Sequence, residues 1–217
     1  MNFTENDKVY IYSYSKKLLI SLPIHTLKTV ACLNFYGAEW PYKQWDYMIG
    51  FEINLNKLKG YEKYFTNTLV FVGKHNPFVV NQLKSIVWEQ IDTIKFPLGK
   101  EKMLEGYSTG CIKSNAYYYT NGKMMYYIQD WKHKKYGIWV KHLIILDSKT
   151  KQIIFERYYY TGESTSFNSI YSQWTGRLFK NKPSVIFGFT NHAFSCPYID
   201  FIDSNLDSVY INCDNRH

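Results

Sequence analysis

The sequence contains no apolar run near the roughly 18 residues that a membrane-spanning helix needs, although 46% of its 217 residues are hydrophobic. The first residues include two acids, Glu5 and Asp7, and no basic segment followed by an apolar one. They therefore do not predict a secretory signal peptide. With an ordinary apolar fraction and 20% charged residues, we expect a folded, soluble and cytoplasmic protein.

Paired cysteines and glycine-rich loops are also missing. The four cysteines at 32, 111, 196 and 213 form no C-x-x-C pair, which excludes a zinc ribbon or a dithiol redox motif. We expect reduced thiols, with oxidation of Cys196 and Cys213 as the exception to check. The glycines match neither the P-loop nor the dinucleotide-binding pattern, so we expect no cofactor.

Arginine is scarce, since only Arg157, Arg177 and Arg216 occur among 26 basic residues. Arginine supplies the bidentate contacts that distinguish guanine, so sequence-specific DNA binding is disfavoured. Residues 95–182 carry 15 basic and 6 acidic groups, and residues 183–217 carry 1 and 4. The excess of positive charge over residues 95–182 attracts an acidic partner only if the lysines share an exposed face and the acidic tail, residues 183–217, does not mask them. A biased genome is the simpler explanation of the same composition.

Aromatic residues are abundant, at 19% of the chain with 21 tyrosines. Tyrosine packs well on a pleated sheet and keeps a polar tip near water. Alternating apolar segments and turn residues recur along the chain, without an internal repeat or a linker. We predict an α+β fold in one domain over residues 1–217, with a mainly antiparallel sheet of about ten strands and two helices packed on it.

Two segments show helical spacing of apolar residues. In the first, over 77–95, Asn76 is a predicted N-cap and Pro77 occupies the first helical position. Its apolar positions are Val80, Leu83, Val87 and Ile91. The second segment runs from 167 to 178, with apolar residues at Phe167, Ile170, Tyr171, Trp174 and Leu178.

The Asn121-Gly122 dipeptide predicts a two-residue hairpin between Tyr117 and Tyr127. With a type I′ turn, Tyr119 would face Met124. A strand over 137–146, a turn over 147–151 and a strand over 153–160 would continue an antiparallel meander. If this turn pairs Asp147 with Lys151, His142 faces Glu156, and the carboxylate would hold the imidazole as a base. A satisfied core histidine is the simpler interpretation.

His192, Cys196 and Asp200 are spaced four apart, as ligands on one helical face would be. Pro197 favours a loop instead, and the spacing matches no usual zinc pair, so we expect no metal. Cys196 could act as a nucleophile with His142 or His192 only if the fold brings them together.

The densest cluster of cationic and aromatic side chains lies between two predicted strands. Lysines there would attract an anion, and the aromatic rings would stack on a base or pack in a protein interface. A solvated loop tip is the plain alternative. The predicted binding residues are Trp131, Lys132, His133, Lys134, Lys135 and Tyr136.

No complete set of nucleophile, base and oxyanion donors is recognisable. We therefore expect a non-enzymatic binding module that captures a macromolecule, most simply a protein, through a Tyr/Lys-rich β surface, as an inhibitor or immunity-type protein does. One alternative is a hydrolase or nucleotide-processing enzyme that uses His142 with Glu156, or His192, Cys196 and Asp200. The other is a nonspecific binder of single-stranded nucleic acid. The sequence leaves partner identity and oligomeric state open.

Overall fold

Antiparallel strands form nearly all the regular structure of this protein. The computed structural model describes residues 3–34, 38–62, 65–162, 165–192 and 196–212. Among these residues the only α-helix is Glu105–Ser108 (α1), accompanied by short 3-10 turns. The predicted α+β class with two helices is therefore wrong, and the protein is mainly β. No helix in the described ranges has the length and apolar character needed to cross a membrane.

The chain forms two compact units. The first contains the residues up to Leu83 together with 178–182, and the second contains 84–177 and the chain from Pro183 onward. The single domain over 1–217 stays a prediction.

The first unit contains a three-stranded sheet in the order β2-β1-β5 and a separate two-stranded pair, β3-β4. Val9 and Ile11 of the central strand pack with Ile24 and Leu58 in its core. The strands are Lys8–Ser13 (β1), Leu18–Pro23 (β2), Lys28–Leu33 (β3), Tyr47–Glu52 (β4) and Thr68–Gly73 (β5).

The second unit contains most of the remaining strands. They are Leu83–Ser85 (β6, whose first residue belongs to the first unit), Glu89–Ile91 (β7), Cys111–Asn121 (β8), Met124–His133 (β9), Gly137–Asp147 (β10), Ile153–Tyr160 (β11), Thr165–Phe167 (β12), Trp174–Gly176 (β13), Val185–Phe187 (β14), Thr190–His192 (β15), Tyr198–Phe201 (β16) and Val209–Tyr210 (β17). The main sheet has the order β11-β10-β9-β8-β7, a second sheet has the order β17-β16-β14-β13-β6, and β12 pairs with β15.

Strand β10 is an interior strand of the main sheet. It pairs with β9 on one side and with β11 on the other, and its residues from Val140 to Leu146 are buried on both faces. This fits its run of β-branched and apolar residues. Lys141 is directly opposite Asp130 of β9, and its Nζ lies 2.6 Å from the Asp130 carboxylate in a buried ion pair.

The predicted helix over 77–95 is not formed. Asn76 accepts a hydrogen bond from the backbone N–H of Phe78, but the chain then extends into β6 and β7. Burial alternates from Ile86 to Trp88, since Ile86 is 1% exposed, Val87 is 67% exposed and Trp88 is buried. The apolar spacing fitted a helix, but the β-branched residues favour strands, and sheet pairing determines the outcome.

The second predicted helix, over 167–178, is also wrong. Its ends form β12 and β13, and Gly176 has a φ of +132°, which a helix excludes. Gln173 donates hydrogen bonds to the carbonyls of Ser169 and Gly188. Hydrogen bonds to residues of other segments therefore take the place of the local hydrogen bonds of a helix.

The predicted hairpin around Gly122 is present, with a different turn. Asn121 pairs with Met124, and Tyr119 faces Tyr126 instead of Met124. Gly122 is the first loop residue, with a φ of +61°, as type II′ turns require. The pairing moves by two residues, so every side chain keeps its predicted face.

The strand assignment over 83–91 can be tested at two adjacent residues. We expect Ile86→Ala to lower the free energy of unfolding by about 2–5 kcal/mol, because it leaves a cavity in the core. Val87→Ser should change it by less than about 0.5 kcal/mol, because this side chain faces solvent. Urea denaturation measures both. Equal losses at the two positions would restore the helical interpretation, in which both residues face the core.

Candidate functional site

The predicted binding residues lie where β9 turns into β10, and we call residues 131–136 the hairpin tip. Lys132, Lys134 and Lys135 are exposed, and Tyr136 is 54% exposed. Trp131 lies farther inside the strand, where the Lys113 ammonium is 5.5 Å from its ring centroid. The structure thus gathers the tip's exposed cations and Tyr136, and it separates Trp131 from them.

A chain of aromatic contacts begins at the tip and runs back along the sheet. Tyr136 stacks on both His133 and Trp139, with ring centroids 4.8 Å apart in each pair, and the His133 and Trp139 centroids are 6.2 Å apart, so the three rings form one cluster. Trp139 then contacts Tyr107 of α1, whose ring centroid is 4.5 Å from that of Tyr160. These contacts connect the tip to α1 and β11, and sequence spacing could not reveal them because Tyr107 is remote in the chain.

The acids nearest the tip along the chain are already engaged elsewhere. Asp130 pairs with the buried Lys141, Asp147 accepts hydrogen bonds from the backbone N–H groups of Lys149 and Thr150, and Glu156 contacts His142. Within the described ranges, no salt bridge reaches Lys132, Lys134 or Lys135. The described part of the acidic tail contributes Asp200, which bonds to Arg157. The tip therefore carries an uncompensated positive charge.

His142 and Glu156 form the pair that the sequence indicated, through a different register. His142 lies directly opposite Tyr158, and Glu156 lies opposite Ile144. The two side chains meet diagonally on one face of the sheet, with His142 Nε2 2.8 Å from Glu156 Oε1. Both side chains are only 5% exposed.

The segment before α1 covers this pair. The backbone N–H of Lys100 donates to Glu156 Oε2 at 2.8 Å, and a side chain at Gly99 would collide with Glu156 and come within 2.7 Å of His142. The Tyr158 ring stacks on the imidazole at 3.9 Å. Gln129, directly opposite His142, is completely buried, and its amide atoms have no hydrogen-bond partner within the described residues.

Burial lowers the pKa of His142 below its usual value, and the neighbouring Glu156 carboxylate opposes this effect. A neutral imidazole with its proton on Nε2 donates to Glu156, so the carboxylate fixes ring orientation. This arrangement resembles a base held by a carboxylate, but aromatic rings and the Gly99 segment enclose it. The plain interpretation, a satisfied core histidine, therefore describes the geometry well.

Two members of the third predicted set, Asp200 and Cys196, are engaged in other contacts. Asp200 accepts hydrogen bonds from Tyr159 at 2.7 Å and from Ser208 at 2.6 Å, and it also binds Arg157. Cys196 is disulfide-bonded, which removes the thiolate that a nucleophile or a metal ligand requires. The His192 side chain and residue Cys213 lie outside the described part of the chain.

Cys32 and Cys111 are free, as predicted, and the disulfide at Cys196 corrects the expectation of reduced thiols there. Among the described residues no three His, Cys, Asp or Glu side chains are grouped to hold a metal ion.

Comparison of the chain with protein-family models, with curated proteins and with solved structures finds no match. Interpretation of these sites therefore rests on their own geometry.

The lowered pKa of His142 predicts how stability depends on pH. The unfolded chain binds a proton near the usual histidine pKa, whereas the folded chain resists it, so stability is complete above about pH 6.5 and falls on acidification. We expect His142→Gln to reduce the loss in unfolding free energy between pH 7.5 and pH 5. The exposed His75 provides the control variant His75→Gln. The same pH slope in wild type and His142→Gln would contradict a neutral, buried imidazole.

Proposed function

We propose that this protein is a binding module that captures an acidic protein partner through the hairpin tip. The observation that carries the proposal is the combination of stacked rings and unpaired lysines at one exposed turn. Ordered aromatic side chains lose little conformational entropy on binding, and lysines around them steer an acidic surface toward the contact. An inhibitor or immunity-type protein, which neutralises another protein by occupying it, would need this kind of preorganised surface.

A protein partner is favoured over single-stranded nucleic acid by the arrangement of the rings. A base stacks on an open ring face, but the Tyr136 ring already contacts His133 and Trp139, and the Lys135 ammonium lies 5.2 Å from its centroid. Lysine also lacks the planar guanidinium group with which arginine forms two hydrogen bonds to a phosphate. The edges of the rings and the hydroxyl of Tyr136 remain for a protein interface.

On composition alone we propose a cytoplasmic location, but the disulfide at Cys196 favours an oxidising compartment instead. Alkylation of free thiols in the native cells, followed by mass measurement, distinguishes the two compartments. Protection of Cys196 would reject the cytoplasmic proposal.

A hydrolytic or nucleotide-processing activity is the second candidate, because His142 and Glu156 are within 2.8 Å. This activity requires the segment around Gly99 and Lys100 to move away, since that segment covers His142 and Glu156. Glu156→Gln would then abolish hydrolysis of a chromogenic ester or phosphodiester panel. The absence of activity in the wild-type protein at every pH tested would reject this candidate.

The binding proposal is tested by removing charge at the tip. A partner recovered from native lysate is identified, purified and titrated calorimetrically against the wild-type protein and the triple variant Lys132→Gln, Lys134→Gln, Lys135→Gln. Each rim charge contributes modestly, so we expect the dissociation constant to rise by about tenfold at low salt. The difference should shrink as salt increases.

Three other lysines provide the matched control, because they lie in the turns at the opposite end of the same sheet. The variant Lys123→Gln, Lys149→Gln, Lys151→Gln removes the same charge and should leave affinity within about twofold. Equal losses in both triple variants would show that net charge alone attracts the partner. No change in the tip variant would reject the tip as the contact surface.

A further inference from the structure

Strand β11 forms a free edge of the main sheet in the part of the chain that the structure describes. It pairs with β10 only, at one end of the order β11-β10-β9-β8-β7. The backbone N–H of Thr161 donates to the carbonyl of Trp139 at 3.1 Å, and antiparallel pairs alternate between bonded and non-bonded positions. The backbone groups of Glu156, Tyr158 and Tyr160 therefore point outward, away from β10.

This edge lacks several of the features that usually protect one, and its two charged residues, Glu156 and Arg157, already pair with His142 and Asp200. β11 has 8 residues, whereas β7 at the opposite edge of the same sheet has 3. The sequence of β11 contains no proline, no glycine and no lysine, and its isoleucines, phenylalanine and tyrosines favour strand pairing. An unprotected edge of this length is a template for a further strand.

An open cleft of about 380 Å³ lies along β11 and is lined by Glu156, Tyr158 and Tyr160. One wall comes from the segment before α1, where Glu101 and Lys102 line the cleft, and the other comes from the turn after β16, with Asp203 and Ser204. Hydrogen bonds from the Tyr158 hydroxyl to the Glu101 carbonyl and from the Leu104 N–H to the Tyr160 hydroxyl fasten the first wall to the edge strand. The groove is thus built around the strand edge.

Charge determines which strand fits this groove. Its lining contains the carboxylates Glu101, Glu156, Asp200 and Asp203 against the cations Lys102 and Arg157. Glu156 contacts His142 and Asp200 contacts Arg157. Glu101 and Asp203 have no salt bridge to any described residue, although Asp203 Oδ1 accepts hydrogen bonds from Asn205, and Lys102 offsets one of these two negative charges. A second copy of this chain, paired edge to edge, would place like charges together. A basic segment complements the groove.

We propose that the β11 edge binds an extended, lysine-containing peptide segment of a partner protein by strand addition. The ligand's backbone would bond to the outward groups of Glu156, Tyr158 and Tyr160, and its basic side chains would approach Glu101 and Asp203. This surface is separate from the hairpin tip, and the inference does not depend on the proposed function.

The test uses the full chain at pH 8 with synthetic eight-residue peptides, so that Glu101, whose pKa burial raises, is ionised. The probe alternates lysine and valine. One control has glutamate in place of lysine, and another is the lysine peptide with alternate backbone nitrogens methylated. We expect methylation to weaken binding by about tenfold or more, since it removes strand hydrogen bonds and keeps the charge. Amide exchange at Tyr158 and Tyr160 should slow only with the unmethylated lysine peptide.

The double variant Glu101→Gln, Asp203→Asn should weaken binding of the lysine peptide by about fivefold. The matched control variant Glu89→Gln, Asp207→Asn alters exposed acids outside the cleft. It should leave the affinity for the lysine peptide unchanged. Equal affinity for the methylated and unmethylated peptides, or unchanged amide exchange on β11, would overturn strand addition. Protection of the same amides by self-association, without peptide, would show that a second copy is the occupant and would also overturn the proposal.

Discussion

The buried ion pair between Lys141 and Asp130 constrains the main sheet more than any other described contact. The two residues are direct cross-strand partners on β10 and β9, and their charged atoms are 2.6 Å apart away from solvent. Desolvating an ion costs several kcal/mol unless a partner offsets it. A one-residue slip of β9 against β10 would place the two charges on opposite faces of the sheet and leave both buried without a partner, so the pair favours this alignment.

The functional surfaces follow from that alignment. Neighbouring residues of a strand point to opposite faces, so placing Lys141 on one face puts His142 on the other, beside Gln129 and within reach of Glu156. The same pairing ends at His133 and Gly137, which exposes the lysines of the tip. It also leaves β11 as the outermost strand. A histidine site, a cationic turn and a strand edge thus depend on one register.

Local patterns predicted the strands of the meander and the position of the Gly122 turn correctly, because alternation and turn chemistry are properties of nearby residues. They were wrong over 77–95 and 167–178, where apolar spacing fits a helix and a strand equally well. The contact of His142 with Glu156 was expected on a direct pairing and occurs on a diagonal one, since the turn and a bulge after Ile145 move the register. The aromatic contacts through Tyr107 left no local signal.

The sequence by itself determined that this protein is rich in antiparallel strands, that its positive charge is concentrated in the middle of the chain, and that lysines and aromatic rings meet near residue 136. Composition and period-two alternation suffice for these properties. Only the tertiary structure decided which acids neutralise which bases, which rings stack, and which strand edge stays open. Those outcomes depend on pairing between distant segments, and loop lengths and bulges set that pairing in three dimensions.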